Sequence, residues 1–162
     1  MAMDSDKLLD DLNWRILVEL QQNARISYTE LGRRLGLTSP AVAERVRRLE
    51  EAGVITGYHA HVDLAKLNLP ISAMVRLKDR TRGGSTGVVR QLPEVLEAHR
   101  VTGEDYLVMR VAVRSVERLQ SLIDRLAHSG ETETALILST PVEHRVIRPP
   151  EGGGGAAPAF DE

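Results

Sequence analysis

Between Ser27 and Gly53 the chain is punctuated so closely that few folds remain open to it. Ser27 is a good helix N-cap, and Glu30 three residues on completes a capping box. The short helix that follows carries Leu31 and Leu35 and stops at Gly36, a residue suited to the left-handed turn that closes a helix. In the next stretch, Leu37-Thr38-Ser39-Pro40, either Thr38 or Ser39 can cap, and proline fits a first helical turn because the N–H it lacks has no partner there. A further helix, Ser39–Ala52, then sets Val42, Val46 and Leu49 on one face and ends at Gly53. Upstream, Leu9, Leu12, Ile16 and Leu20 recur at helical spacing from Leu8 to Ala24, with Leu8 and Leu17 beside them. Asp10 and Asp11 fall in the first turns, where the helix dipole favours negative charge. Three helices with apolar faces to bury, the last two joined by a glycine turn, predict a helix-turn-helix.

In such a unit the second helix of the pair lies in the major groove of DNA with its N-terminal residues against base edges, while the first crosses the backbone. The exposed and flanking positions suit that task. Thr38 and Ser39 offer hydroxyls beside Pro40, and Ala41 can touch a thymine methyl. Glu44 can accept from cytosine N4, and Arg45, Arg47 and Arg48 can fork onto guanine or phosphate. Arg33 and Arg34 on the preceding helix add phosphate contacts. These arginines matter because the whole chain, with 21 basic and 23 acidic residues among 162, is not a cationic protein. Any attraction to DNA has to be local.

Past Gly53 the rhythm changes. Val54–Tyr58 and His59–Leu64 are β-prone and predict the strand pair of a wing, so residues 1–60 form a winged helix-turn-helix domain and residues 61–69 a connecting strand or linker. Strand patterns follow at Ile71–Leu77, Val95–Thr102, Tyr106–Val113 and Thr132–Thr140. Helical patterns sit at Val88–Leu92 and Ser115–Ala127. The order β-α-β-β-α-β over residues 70–148 is that of a ferredoxin-like α+β domain. Residues 149–162, PPEGGGGAAPAFDE, have little to bury and predict a mobile tail.

Other chemistry finds little support. There is no cysteine, so disulfides, thiolate metal sites and cysteine nucleophiles are excluded. His59 and His61 share a strand face, but no third ligand accompanies them, and no metal or other cofactor is expected. Gly83–Gly87 lacks the Lys-Ser/Thr of a phosphate loop. No nucleophile–base–acid order or carboxylate pair points to an enzyme. No apolar run approaches the ~20 residues that span a bilayer. The acidic start MAMDSDKLLDD lacks the layout of a signal peptide, so a cytoplasmic protein with no membrane partner is expected. Aromatic residues are only 3% of the chain, which leaves an aliphatic core of a kind that often gains stability by oligomerising. One alternative stays open: a sensing or enzymatic ferredoxin-like domain whose N-terminal helices serve association only.

The run LDDLNWRILVELQQNARISYTELGRRLGLTSPAVAERVRRLEEAGVITGYHAHVD resembles the DNA-binding half of the Lrp/AsnC, or feast-or-famine, transcriptional regulators. The likeness continues through VTGEDYLVMRVAV to the last strand and spans roughly residues 8–146. It implies a non-enzymatic regulator whose second domain senses a ligand and dimerises, with dimers assembling further, often to octamers. It implies an amino acid or related metabolite as effector, bound between dimers near Gly103–Tyr106. Many members read G-D-(Y/F)-D there, whereas this chain reads Gly103-Glu104-Asp105-Tyr106. In such a pocket Glu104 or Asp105 would hold an ammonium, backbone N–H groups near Gly103 a carboxylate, and Thr102, Ser139 and Thr140 would supply hydroxyls.

Overall fold

The computed structural model describes residues 8–79, 85–103 and 107–150. They divide into two compact units: residues 8–60 together with 142–150, and residues 61–141.

The first unit is helical. Helix α1 (Asp11–Gln22) begins where the Asp10 carboxylate accepts the Asn13 N–H at 2.7 Å. Helix α2 (Tyr28–Leu35) is capped by Ser27, whose hydroxyl accepts the Glu30 N–H at 3.1 Å. Helix α3 (Ser39–Glu51) is capped by Thr38, with Pro40 in its first turn. Ile16, Leu20, Ile26, Leu31, Leu35, Val42, Val46 and Leu49 form one buried cluster, on which Leu9, Leu17 and Ile55 pack from the edge. Burying each such side chain contributes about 1.5–3 kcal/mol, which fixes the mutual placement of three helices too short to persist alone.

The wing expected from Val54 to Leu64 has no strand ladder. The N–H groups of Val54 and Ile55 turn back to the Leu49 carbonyl at 2.9 and 3.1 Å, closing α3, and among the described residues no strand pairs with the rest of the segment. β-propensity without a partner strand makes no sheet.

The second unit contains β1 (Ile71–Asp79), α4 (Ser85–Val89), β2 (Val95–Arg100), β3 (Leu107–Val113), α5 (Val116–Ala127) and β4 (Gly130–Leu136). The four strands form an antiparallel sheet in the order β2-β3-β1-β4, the arrangement of a ferredoxin-like domain. Ala73, Val75 and Leu77 of β1 and Leu107, Met109, Val111 and Val113 of β3 pack against Leu119, Leu122 and Leu126 of α5. The last strand ends earlier than its sequence pattern suggests, although the Ile137 N–H still reaches the Ser72 carbonyl at 2.9 Å. The short helix begins at Ser85 rather than Val88.

Residues 142–148, which sequence patterning assigns to the second domain, cluster by contact with the first unit. The Gln21 side chain explains this. Its Oε1 accepts the Ile147 N–H at 2.9 Å, and its Nε2 donates to the Ile147 carbonyl at 3.0 Å. Within the expected tail, residues 151–162 lie outside the described residues. Among the described residues no helix is long and apolar enough to cross a membrane.

Candidate nucleic-acid interface

The turn between α2 and α3 rests on two glycines with different duties. Gly36 adopts φ +69°, and its N–H and that of Leu37 both return to the Gly32 carbonyl. Gly32 lies inside α2, where a Cβ would sit 2.5 Å from the Leu37 carbonyl oxygen. The turn therefore approaches the helix backbone more closely than any side chain allows. A glycine set in the middle of an otherwise good helical run is the sequence signal for this, and patterning alone passes over it.

Beyond the turn, Thr38 and Pro40 are exposed, and Ser39 and Ala41 half-buried, at the open N-terminal end of α3. The arginines divide into two groups. Arg47 and Arg48 stand on the outer face, Arg48 with 64% of its side chain exposed. Arg45 points the other way. Its Nη1 donates to Asp10 at 2.8 Å and to the Asn13 side-chain oxygen at 2.9 Å, joining α3 to the start of α1. Burial opposes the charge on Asp10, yet the bonds from Arg45 and the Asn13 N–H together hold its carboxyl below the ordinary range. Arg45, expected with the DNA-facing set, thus lies in the packing of the domain, because α1 covers that side of α3.

The remaining arginines are paired. Glu44 accepts from Arg47 at 2.7 Å and from Arg48 at 2.8 Å, and Glu51 takes a second bond from Arg47. Glu30 accepts from Arg33 at 2.8 Å and from Arg34 at 2.9 Å, while Arg34 also reaches Glu19 at 2.7 Å. Glu30 therefore does not complete the expected capping box, because its carboxylate is engaged by two guanidiniums. The bonds from Arg47 and Arg48 hold the Glu44 carboxyl at about 2, and those from Arg33 and Arg34 hold Glu30 at about 2. Both clusters follow one pattern, Glu-x-x-Arg-Arg, at 30–34 and again at 44–48. Helix α3 carries Arg45, Arg47 and Arg48 against Glu44, Glu50 and Glu51, so its net charge is zero. The basic patch anticipated from the arginines alone is cancelled by its own neighbours. Glu50 also accepts from the Tyr58 hydroxyl at 2.8 Å, pinning the segment after α3 to its last turn.

The effector residues are less well gathered. Thr102, Gly103, Ser139 and Thr140 are exposed, and Glu104, Asp105 and Tyr106 lie outside the described residues. The register separates the two halves of the set. The turn that holds Gly103 leads into Leu107, opposite Leu77 of β1. Strand β4 runs away from that end, with Gly130 opposite Asp79 and Leu136 opposite Ala73. Ser139 and Thr140 therefore leave the sheet beside Ile71 and Val113. Six residue steps along β1, about 20 Å, lie between the two ends. One chain does not bring Ser139 and Thr140 to the Gly103 turn.

Comparison with known proteins agrees with this architecture. Residues 9–50 match the AsnC-type helix-turn-helix domain, and residues 74–147 match the Lrp/AsnC ligand binding domain. An uncharacterised HTH-type transcriptional regulator of Bacillus subtilis, YezC, is 38% identical over 84% of this chain and 98% of its own length. The structure of Bacillus subtilis LrpC superposes with a TM-score of 0.78 at 31% identity, covering 82% of this chain and 96% of LrpC. A transcriptional regulator from Neisseria meningitidis, crystallised as its complex with L-methionine, superposes with a TM-score of 0.79 at 27% identity, covering 87% of this chain and 96% of that one.

Proposed function

Because this chain belongs to the Lrp/AsnC family of DNA-binding transcriptional regulators, which are not enzymes, we propose that it works as a homo-oligomer whose DNA affinity responds to a small metabolite. The observation that carries the DNA half is the open N-terminal end of α3, where Thr38, Ser39, Pro40 and Ala41 project from a glycine turn with Arg47 and Arg48 on the exposed face behind them. The first four meet base edges. Arg33, Arg34, Arg47 and Arg48 meet phosphates, and Arg45 holds α3 against α1. Two copies then read a two-fold symmetric site with half-sites spaced by whole helical turns.

The effector is an amino acid or a related metabolite taken up at the turn from Thr102 to Tyr106. The L-methionine complex of the Neisseria relative supports that chemical class. The separation of Ser139 and Thr140 from this turn supports a pocket shared between copies, since both can line it only if a neighbour supplies one part. Dimers assembling to an octamer in the cytoplasm complete the reading. The effector binds one assembly better than another and so shifts which spacing of α3 helices is populated.

A gel-shift series against the protein's own upstream DNA at rising salt tests the first half. Retardation that weakens steeply with salt is expected, and its absence at every salt concentration, with and without amino acids, would overturn the reading. A thermal-shift screen of the twenty amino acids tests the second. A true effector must raise the melting temperature, since it binds the native state alone.

A further inference from the structure

We propose that Glu44, with Glu30 as its counterpart on α2, is a charge brake that lowers the sequence-independent affinity of this protein for DNA, rather than a residue that reads a base. The inference rests on α3 being the DNA-facing helix and adds to it what the carboxylates are for.

The geometry leads there directly. Each carboxylate sits one helical turn before two arginines and bonds to both, at 2.7 and 2.8 Å for Glu44 and at 2.8 and 2.9 Å for Glu30. The arrangement recurs with the same spacing on both helices that flank the turn. In the free protein four guanidiniums, the groups best suited to phosphate, thus already give part of their N–H fork to a carboxylate. A phosphate that approaches these guanidiniums therefore meets a carboxylate already held among them. Glu44 then stands beside a polyanion as a negative charge, and like charges brought together at an interface are costly. Glu44 remains ionised throughout the neutral range. The cost falls on every DNA sequence alike. A module so restrained holds weakly to any single stretch of duplex, which suits a protein that must not be captured by the vast excess of non-specific sites. Affinity at a true site is recovered by base contacts and by several copies docking together.

Glu50 supplies the control. It carries the same charge on the same helix, but its bond is to the Tyr58 hydroxyl, and a glutamine there can still accept it. The experiment compares the full-length protein with its Glu44→Gln, Glu30→Gln and Glu50→Gln variants by fluorescence anisotropy on a pool of random-sequence duplexes at several salt concentrations. Sequencing of the bound fraction follows. Circular dichroism and thermal melts establish that each variant is folded. The expected result is a gain in pool affinity of about tenfold for Glu44→Gln, with a salt slope steeper by about 1 to 2 and an unchanged order of sequence preference. A smaller gain in the same direction is expected for Glu30→Gln, and little change for Glu50→Gln. Equal gains for Glu44→Gln and Glu50→Gln would overturn the proposal, since general charge removal would then explain both. So would a loss of preference for one cytosine with pool affinity unchanged, which is the signature of base reading. If neither wild type nor any variant binds the pool even at the lowest salt, α3 is not a DNA-facing helix and the brake falls with it; wild-type binding without the Glu44→Gln gain removes the brake alone.

Discussion

In the first unit every candidate arginine of the DNA surface is positioned by groups of the same chain: Arg45 by Asp10 and Asn13, Arg47 and Arg48 by Glu44, Arg33 and Arg34 by Glu30. In the second unit the strands are just as regular, yet the candidate effector residues end up at opposite ends of the sheet. The first set of residues is therefore gathered in one copy and the second is not. Under the proposed function, the reading head is set by local geometry and the sensor is completed by association. Ligand would then alter DNA binding by changing how copies assemble.

If the two units are independent, damage to one should leave the other folded. Leu122→Ala empties a fully buried position behind the sheet and is expected to cost about 2–5 kcal/mol, read by chemical denaturation. Hydrogen exchange should then show protection lost across β1 and β3 but kept in α1 to α3. Gly32→Ala is the reverse experiment. Its methyl group cannot be accommodated beside the Leu37 carbonyl without moving the turn, so a loss of about 1–3 kcal/mol is expected, with DNA binding abolished and the sheet still protected. Loss of protection in both units from either change would mean that they fold as one block.

Smaller effects sharpen the division within α3. Under the proposed docking, in which the exposed Arg48 of the last turn meets phosphate, Arg48→Ala should weaken binding to all sequences about equally and reduce the salt slope by about 1. Relaxed preference at a single base pair would show that the helix is oriented differently. Arg45→Ala should leave the salt slope unchanged and instead lower stability by about 1 kcal/mol, through loss of the bonds to Asp10 and Asn13.

The gentlest effect is on pH. Glu30 and Glu44 are held at about 2 in the folded protein against 4.5 ordinarily, so what their pairs contribute is complete above about 4.5 and is lost as pH falls toward 2. Melting temperatures followed downward from pH 6 should therefore decline through that window. Glu44→Gln should flatten the decline slightly.

Much of the first unit is legible in the sequence because its signals are local. Ser27, Gly36 and Pro40 each act within one turn of where they stand. The side of α3 that Arg45 occupies is not legible, since it depends on where α1 packs, and only the core resolves that. The strands of the wing fail for a related reason, as propensity at Val54–Leu64 names a conformation but not a partner. The β-α-β-β-α-β order is readable from periodicity, but the sheet order β2-β3-β1-β4 and its register decide where Ser139 and Thr140 emerge. Those are tertiary facts with no one-dimensional trace. Glu-x-x-Arg-Arg stands in plain view twice, yet its meaning depends on the carboxylates closing onto the arginines.

The hold of Gln21 on Ile147 makes the DNA-binding unit discontinuous in the gene. The ferredoxin-like unit is, in effect, inserted between two of its segments. A fragment ending at residue 60 would leave the Gln21 amide without its backbone partner and expose the groove of about 400 Å³ that Ile147 lines with Leu9, Trp14 and Leu17. Transplanting this reading head onto another sensor by simple end-to-end fusion would therefore leave part of it behind. A faithful graft must enter after residue 60 and return the chain at residue 142.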